Sequence, residues 1–279
     1  ALLLACLMMV SLLAGCGGGS TNTNDNANVA PEDRVLHMRT TSALLSTDWQ
    51  ASTLTDDMKI LWVHVFEGLY GMDEANGGYF NLLAKDIAVS EDGLTYTFHI
   101  NPDAKFSDGT DITAEDVEWS YEYVRDQCDN WSWLYKTLDD VEAVDEKTAV
   151  FHFSAADASR LATMTSIQYG SVRSKAAMEK YGDDYGKTAE SVVSSGPYVI
   201  TDWKENEYVK FEARDDYYGD KPDLTHLKYV PVSDVNAAVV ALQTGELDLY
   251  FNPLSGVALD TVKAVSYTHL RAHETRGNL

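Results

Sequence analysis

From Asp92 to Val117 the chain reads DGLTYTFHINPDAKFSDGTDITAEDV, five Asp, one Glu, one His and one Lys in 26 positions. A glycosidase needs two carboxylates at a fixed separation, one of them with a raised pKa. Asp103, Asp108, Asp111, Glu115 and Asp116 are therefore the first candidates for acid–base chemistry. Their local spacing assigns them other work. Phe106-Ser107-Asp108-Gly109-Thr110 reads as a tight turn in which Gly109 can take a positive φ, with Asp108 and Asp111 shaping the turns. Thr113 and Asp116 are spaced as an N-terminal capping box, with Asp in place of the longer Glu or Gln. Glu115 and Asp116 then stand at the positive end of the following helix.

Other groupings carry less chemistry. Gly182-Asp-Asp-Tyr-Gly-Lys-Thr188 imitates a phosphate loop but has one residue too few between its glycines, and its two Asp would repel phosphate. His269 and His273 have the i, i+4 spacing of metal ligands, yet they lie in a basic tail foreign in composition to the rest of the chain. There is no GxSxG elbow, no HExxH and no CxxC pair, so no catalytic residue, metal or cofactor is expected. Within Asn130–Lys136, Trp133 and Tyr135 fit either core packing or the aromatic wall of a ligand cleft.

The elements that must hold these residues can be read from periodicity. Leu94, Tyr96, Phe98 and Ile100 alternate with polar residues, as a half-buried strand does. Val117, Tyr121 and Val124 fall on one face of the helix capped by Thr113. Val141–Val144 and Ala149–Phe153 flank a turn and predict a hairpin. Strands are predicted at Tyr198–Thr201, Tyr208–Glu212 and Leu227–Val232, the first two linked through Trp203–Glu207. A helix over Asp234–Gln243, with Val235, Val239 and Leu242 inward, ends near Gly245, and another strand starts at Leu247. This alternation is an α/β pattern. Gly196, Pro197 and Tyr198, where a strand re-enters, are read as structural.

The 279 residues carry 44 acidic and 21 basic side chains, a formal charge of −23. That surface repels nucleic acid and anionic lipid. Residues 1–15 are an apolar run too short to span a bilayer and suited to a signal peptide. They have no initiator Met and no basic start, so the natural chain is expected to begin earlier. Leu13-Ala14-Gly15-Cys16 resembles the lipobox of bacterial lipoproteins, which implies lipidation of Cys16, and residues 16–33 read as a flexible tether.

Val65–Asp73 and Ser90–Val124 together resemble the signature region of the family 5 extracellular solute-binding proteins. Ser194–Tyr250 resembles a second block of that family. The resemblance implies a two-lobed periplasmic-binding-protein-like α/β fold with an extra domain, the second lobe mostly missing. Residues 34–47 and 189–255 would form lobe I and 48–188 the inserted domain. Residues 256–265 would begin the other lobe, and 266–279 would be a foreign tail. It further implies the substrate-binding component of a bacterial ABC importer, a monomer that captures extended peptides by hinge closure and hands them to the permease and ATPase subunits, lipid-anchored at the cell surface or in the periplasmic space. The loop at Thr41, Ser42, Ala43 and Leu44 corresponds to the family's ligand-contacting loop. Here Thr47-Asp48-Trp49 replaces the usual Leu-Asp-Pro. The alternatives are a secreted hydrolase such as a glycosidase, or a same-fold binder of another solute such as a nickel chelate. Cys16→Ser is expected to move the protein from the membrane fraction to the soluble one; retention of the variant after salt and carbonate washes would exclude the thioether anchor.

Overall fold

The computed structural model describes residues 34–48, 62–73 and 75–250. The leader, Cys16, the tether, Trp49 and the tail with His269 and His273 lie outside the described residues. Two four-stranded sheets dominate. The first takes its strands from distant parts of the chain: β1 (Val35–Thr40), then β10 (Tyr198–Lys204), β11 (Tyr208–Ala213) and β12 (His226–Pro231), in the spatial order β1-β12-β11-β10. β1 runs parallel to β12, and the other two pairings are antiparallel. On its other side β1 meets Leu249 in a parallel bridge to Met38. β1 thus has a neighbour on each side within the sheet; Met38, Arg39 and Thr40 are all buried although successive residues face opposite ways, so both faces of the sheet are covered at this end.

The second sheet, in the order β5-β6-β8-β7, is antiparallel throughout: β5 (Ala84–Val89), β6 (Thr95–Ile100), β7 (Leu138–Asp145) and β8 (Thr148–Phe153). β6 buries Tyr96, Phe98 and Ile100, as the alternation requires. β7 and β8 join through Glu146-Lys147, with Asp145 Oδ1 accepting from Lys147 N–H at 2.9 Å. Helix α1 (Ala114–Gln127) covers this sheet. Its capping box is present: Asp116 N–H donates to Thr113 Oγ1 at 3.3 Å, and Thr113 N–H donates to Asp116 Oδ2 at 3.0 Å. Such a cap contributes about 1 kcal/mol. Val117, Tyr121 and Val124 are buried, and the Tyr121 ring meets Phe151 edge-on at 4.8 Å between centroids.

Shorter elements complete the fold. They are β2 (Glu67–Gly68), the hairpin β3 (Tyr70–Met72) and β4 (Tyr79–Asn81), helices α2 (Arg160–Met164), α3 (Ile167–Gly170) and α4 (Lys175–Tyr181), and β9 (Ser171–Val172), which pairs with β2. Helix α5 (Val235–Thr244) connects β12 to Leu249. It is capped by Asp234, whose carboxylate accepts from Ala237 N–H at 2.7 Å, and it ends at Gly245 with φ 77°.

Two expectations change. Helix α5 buries Ala238 and Val239, while Val235 is exposed, so its inward face is rotated from the predicted one. β10 runs on through Trp203 and Lys204, beyond the strand end at Thr201 that the alternation predicts; a β-bulge between Ile200 and Asp202 breaks the period there. Gly182–Asp184 forms a 3-10 turn, and the Gly186 carbonyl accepts from Thr47 N–H at 2.7 Å, so the false phosphate loop serves packing.

Gly109 takes φ 86° as its turn demands. Gly196 is constrained by proximity: its N–H donates to Val65 O at 3.0 Å, and a Cβ there would stand 2.9 Å from His64 O. Pro197 O accepts from Arg214 N–H at 2.9 Å, and Tyr198 OH donates to Leu224 O at 2.7 Å. Since backbone and not a side-chain end opposes the missing Cβ, Gly196→Ala is expected to cost about 2 kcal/mol through forced backbone displacement, measured as a lowered urea midpoint; an unchanged midpoint would refute that packing account.

Candidate ligand-binding site

Parallel strands align their carboxyl ends, and in open α/β sheets ligands bind outside those ends. Here the ends of β1, β12 and the Leu249 bridge come together, with the β10–β11 turn beside them. Leaving β1, residues 41–46 form an arch held at three points. At its start Thr40 O accepts from Val232 N–H at 2.8 Å, and Thr40 Oγ1 donates to Ser42 O at 2.9 Å. In the middle Leu44 O accepts from Trp203 Nε1–H at 3.2 Å. Beyond its end Thr47 N–H is held by Gly186 O, and the Arg173 Nη1–H group donates to Thr47 O.

Leu44 is buried against a small recess that it lines with Trp203, Tyr208, Tyr229 and Pro231. Leu45, next to it, is 47% exposed, and Thr41, Ser42 and Ala43 are half-buried. The peptide groups of Ala43 and Leu45 make no hydrogen bond among the described residues. Arg39, at the end of β1, is buried. Its Nε–H donates to Val232 O at 2.7 Å, and its guanidinium lies 4.6 Å from the Tyr250 ring centroid. It fixes the strand ends to one another.

Of the two aromatics proposed for a cleft wall, Trp133 is 58% exposed, with its indole N–H donating to Asn130 O at 3.1 Å. Tyr135 is 1% exposed in the core and spends its hydroxyl on Tyr169 O at 3.0 Å. A buried ring has no face to offer a ligand, so Tyr135 belongs to the packing alternative. The acids of 92–117 act locally. Asp108 accepts from Thr110 N–H and Oγ1–H at 3.0 and 2.6 Å. Asp111 pairs with Lys105, which lowers its pKa. Burial raises Asp116, whose oxygens are taken by Thr113 and the Lys175 N–H. Among the described residues no group of three His, Cys, Asp or Glu could hold a metal ion.

Trp203, Arg173, Gly186 and Arg39 were not singled out from sequence. Trp203 was hidden by the bulge, and the other three act on partners remote in the chain, such as Thr47 O, 126 residues before Arg173.

Beneath the arch, His64 is wedged among Tyr198, Phe211 and Tyr229, with Nε2 hydrogen-bonded to Tyr229 OH at 2.6 Å. Burial lowers its pKa to about 4. Glu67 is also buried; desolvation raises its pKa, opposed by hydrogen bonds from the Tyr217 and Tyr218 hydroxyls and by the charge of Arg214.

The sheet order and the arch at the carboxyl ends define a periplasmic-binding-protein-like α/β lobe. The family described as bacterial extracellular solute-binding proteins, family 5 Middle, matches residues 79–275, and the chain belongs to that family. It is 32% identical over 189 residues to the glutathione-binding protein GsiB of Escherichia coli O1:K1 / APEC, covering 67% of this chain and 36% of that protein. Among solved structures, it resembles MoaA of A. tumefaciens R10 in complex with mannopinic acid (27% identity, TM-score 0.70, 77% of this chain and 44% of that one). It also shares its fold with the substrate-binding domain of an oligopeptide ABC transporter from Bacillus anthracis str. Ames (24% identity, TM-score 0.73, 82% and 47%). The chain spans about a third of the length of the curated relatives it matches.

The His64 shift fixes a pH response. Its folded pKa lies below the unfolded value of 6.5, so the unfolded state takes up the proton first and stability is lost as pH falls from 6.5 toward 4. By pH 5 the loss amounts to about 2 kcal/mol. Denaturant titrations at pH 7 and 5 are expected to show it, and in His64→Phe, although weakened overall, the difference should shrink; an equal difference in the variant would assign the response to other groups.

Proposed function

We propose that the chain contributes lobe I, from residues 34–47 and 189–255, and an inserted domain, residues 48–188, to the substrate-binding component of an ABC importer. It works outside the cytoplasmic membrane, tethered through Cys16, and delivers extended peptides or peptide-like solutes to the permease and ATPase subunits. The observation that carries this reading is the arch at Thr41–Leu45, with the peptide groups of Ala43 and Leu45 unbonded. An extended ligand laid along it would satisfy these groups by main-chain hydrogen bonds, which do not depend on the ligand's side chains. Trp133 is a candidate for a more distant ligand contact, and hinge closure against a second lobe would complete the enclosure. The relatives are named for glutathione and oligopeptide, and MoaA was solved with mannopinic acid, so a small polar non-peptide solute is the second reading.

Equilibrium dialysis against labelled tri- to pentapeptides, glutathione and mannopinic acid tests it. Peptides should be retained intact, with affinities varying less than about tenfold with side chains. N-methylation of one peptide bond should weaken binding about fivefold, near 1 kcal/mol for a lost hydrogen bond. Equal retention of N-methylated peptides would refute main-chain recognition, exclusive retention of mannopinic acid would favour the second reading, and turnover of any ligand would overturn both.

A further inference from the structure

Arg173 is fully buried and is not among the residues on which the family resemblance rests, yet it reaches the exit of the arch. Its main-chain N–H donates to Ser120 Oγ on α1 at 3.0 Å, and its Nε–H donates to Ser171 Oγ at 3.3 Å. The guanidinium carbon stands 4.0 Å from the Phe66 ring centroid and 5.1 Å from that of Trp62. Burial lowers its pKa to about 10, so it remains a cation at neutral pH, with Asp48 and Tyr185 the nearby groups that favour its charge. Its Nη1–H reaches across to the Thr47 carbonyl.

Thr47 closes the arch from the far side of the chain as well. Its N–H and hydroxyl both address Gly186 O, at 2.7 and 3.4 Å. Gly186 has φ 72°, and a Cβ there would stand 2.6 Å from Thr47 Oγ1 and 2.9 Å from Asp48 N. One residue, Thr47, is thus gripped on its carbonyl by a buried cation and on its amide by a glycine that only a missing side chain lets so close. A buried charge is costly to place, and the hydrogen bonds that a charged donor makes are stronger than those between neutral groups. Packing alone would be served as well by an apolar side chain. A buried cation that holds a main-chain carbonyl at the exit of a loop defines where that loop runs.

We propose that Arg173, assisted by Gly186, is the positioning residue of the ligand-facing arch: it fixes Thr47 and thereby the line along which Ala43 and Leu45 present their peptide groups. The assignment of the arch to the ligand rests on the function proposed above, whereas its fixation by Arg173 does not. Arg173 touches no ligand and acts through Thr47.

Hydrogen–deuterium exchange on the full chain, with Arg173→Met, Arg173→Lys and Gly186→Ala, separates the possibilities. In Arg173→Met the Thr47 amide should exchange at least tenfold faster while amides of β6 and β8 keep their protection. Arg173→Lys, which keeps a charged donor but not the planar fork, should fall between Met and wild type. Gly186→Ala should loosen the same amide by the independent route, so the test survives if the Met variant does not fold. Where peptides are retained by wild type, the same variants should weaken retention in the same order and reduce the N-methyl penalty. Unchanged Thr47 exchange in Arg173→Lys with a lowered melting temperature would leave Arg173 a packing residue and overturn the proposal. Exchange that follows the expected order in a protein that retains no peptide would uphold the positioning role and refute the peptide reading alone.

Discussion

The two sheets share one polar junction, and Arg214 is its centre. This side chain is almost fully buried, yet it reaches three carbonyls from two parts of the chain. Nη1–H groups donate to Ser194 O and Gly196 O, each at 3.2 Å, and Nη2–H donates to Lys105 O at 2.9 Å. Asp216 balances the charge at 3.0 Å. The planar guanidinium carries enough donors in a fixed fork to satisfy such a set, where an ammonium could not. Around it, Ser195 Oγ accepts from Glu67 N–H and donates to Val172 O, tying β2 and β9 to the same segment. Removal of one member would leave several buried polar groups unpaired. The turn at Lys105 on one side and the strand β10 on the other can therefore not move independently of the segment between them.

That rigidity is what gives the open end of the first sheet a definite shape. The arch is short and carries little apolar contact of its own apart from Leu44, so its course depends on what its ends are attached to. One end continues β1, which is flanked on both sides by parallel neighbours. The other end enters the layer governed by Arg173. A loop suspended between two fixed supports can hold main-chain groups unpaired without collapsing onto them, which an unsupported loop of the same length would do. The family model matches residues 79–275, outside the arch, so the geometry of the arch is an observation independent of it.

Much of the local architecture was legible in the sequence because its causes are local. The alternation in β6, the hairpin of β7 and β8, the Thr113 box and the Asp234 and Gly245 caps each depend on residues within a few positions of one another. What could not be read was set at a distance. The inward face of α5 falls on Ala238 and not Val235 because the sheet beneath it determines which side is covered. Tyr135 sits in the core because Tyr169 supplies a carbonyl for its hydroxyl, a contact between residues 34 apart. Trp203 joins the arch because a bulge turns it from the side that simple alternation assigns. The family resemblance located the arch, but the clamps on Thr47 come from residues that carry no motif.

The bulge has one more effect. β10 is the last strand of its sheet among the described residues, and the outer edge of such a strand is a template onto which a foreign strand could be added. Between Ile200 and Asp202 the ladder slips out of register, and Asp202 and Lys204 follow at once. An incoming chain would meet an interrupted row of donors and acceptors and two charges to desolvate. The irregularity that brings Trp203 to the arch also blunts this border against self-association, so the sheet can stay open at this edge without fusing to that of a neighbour.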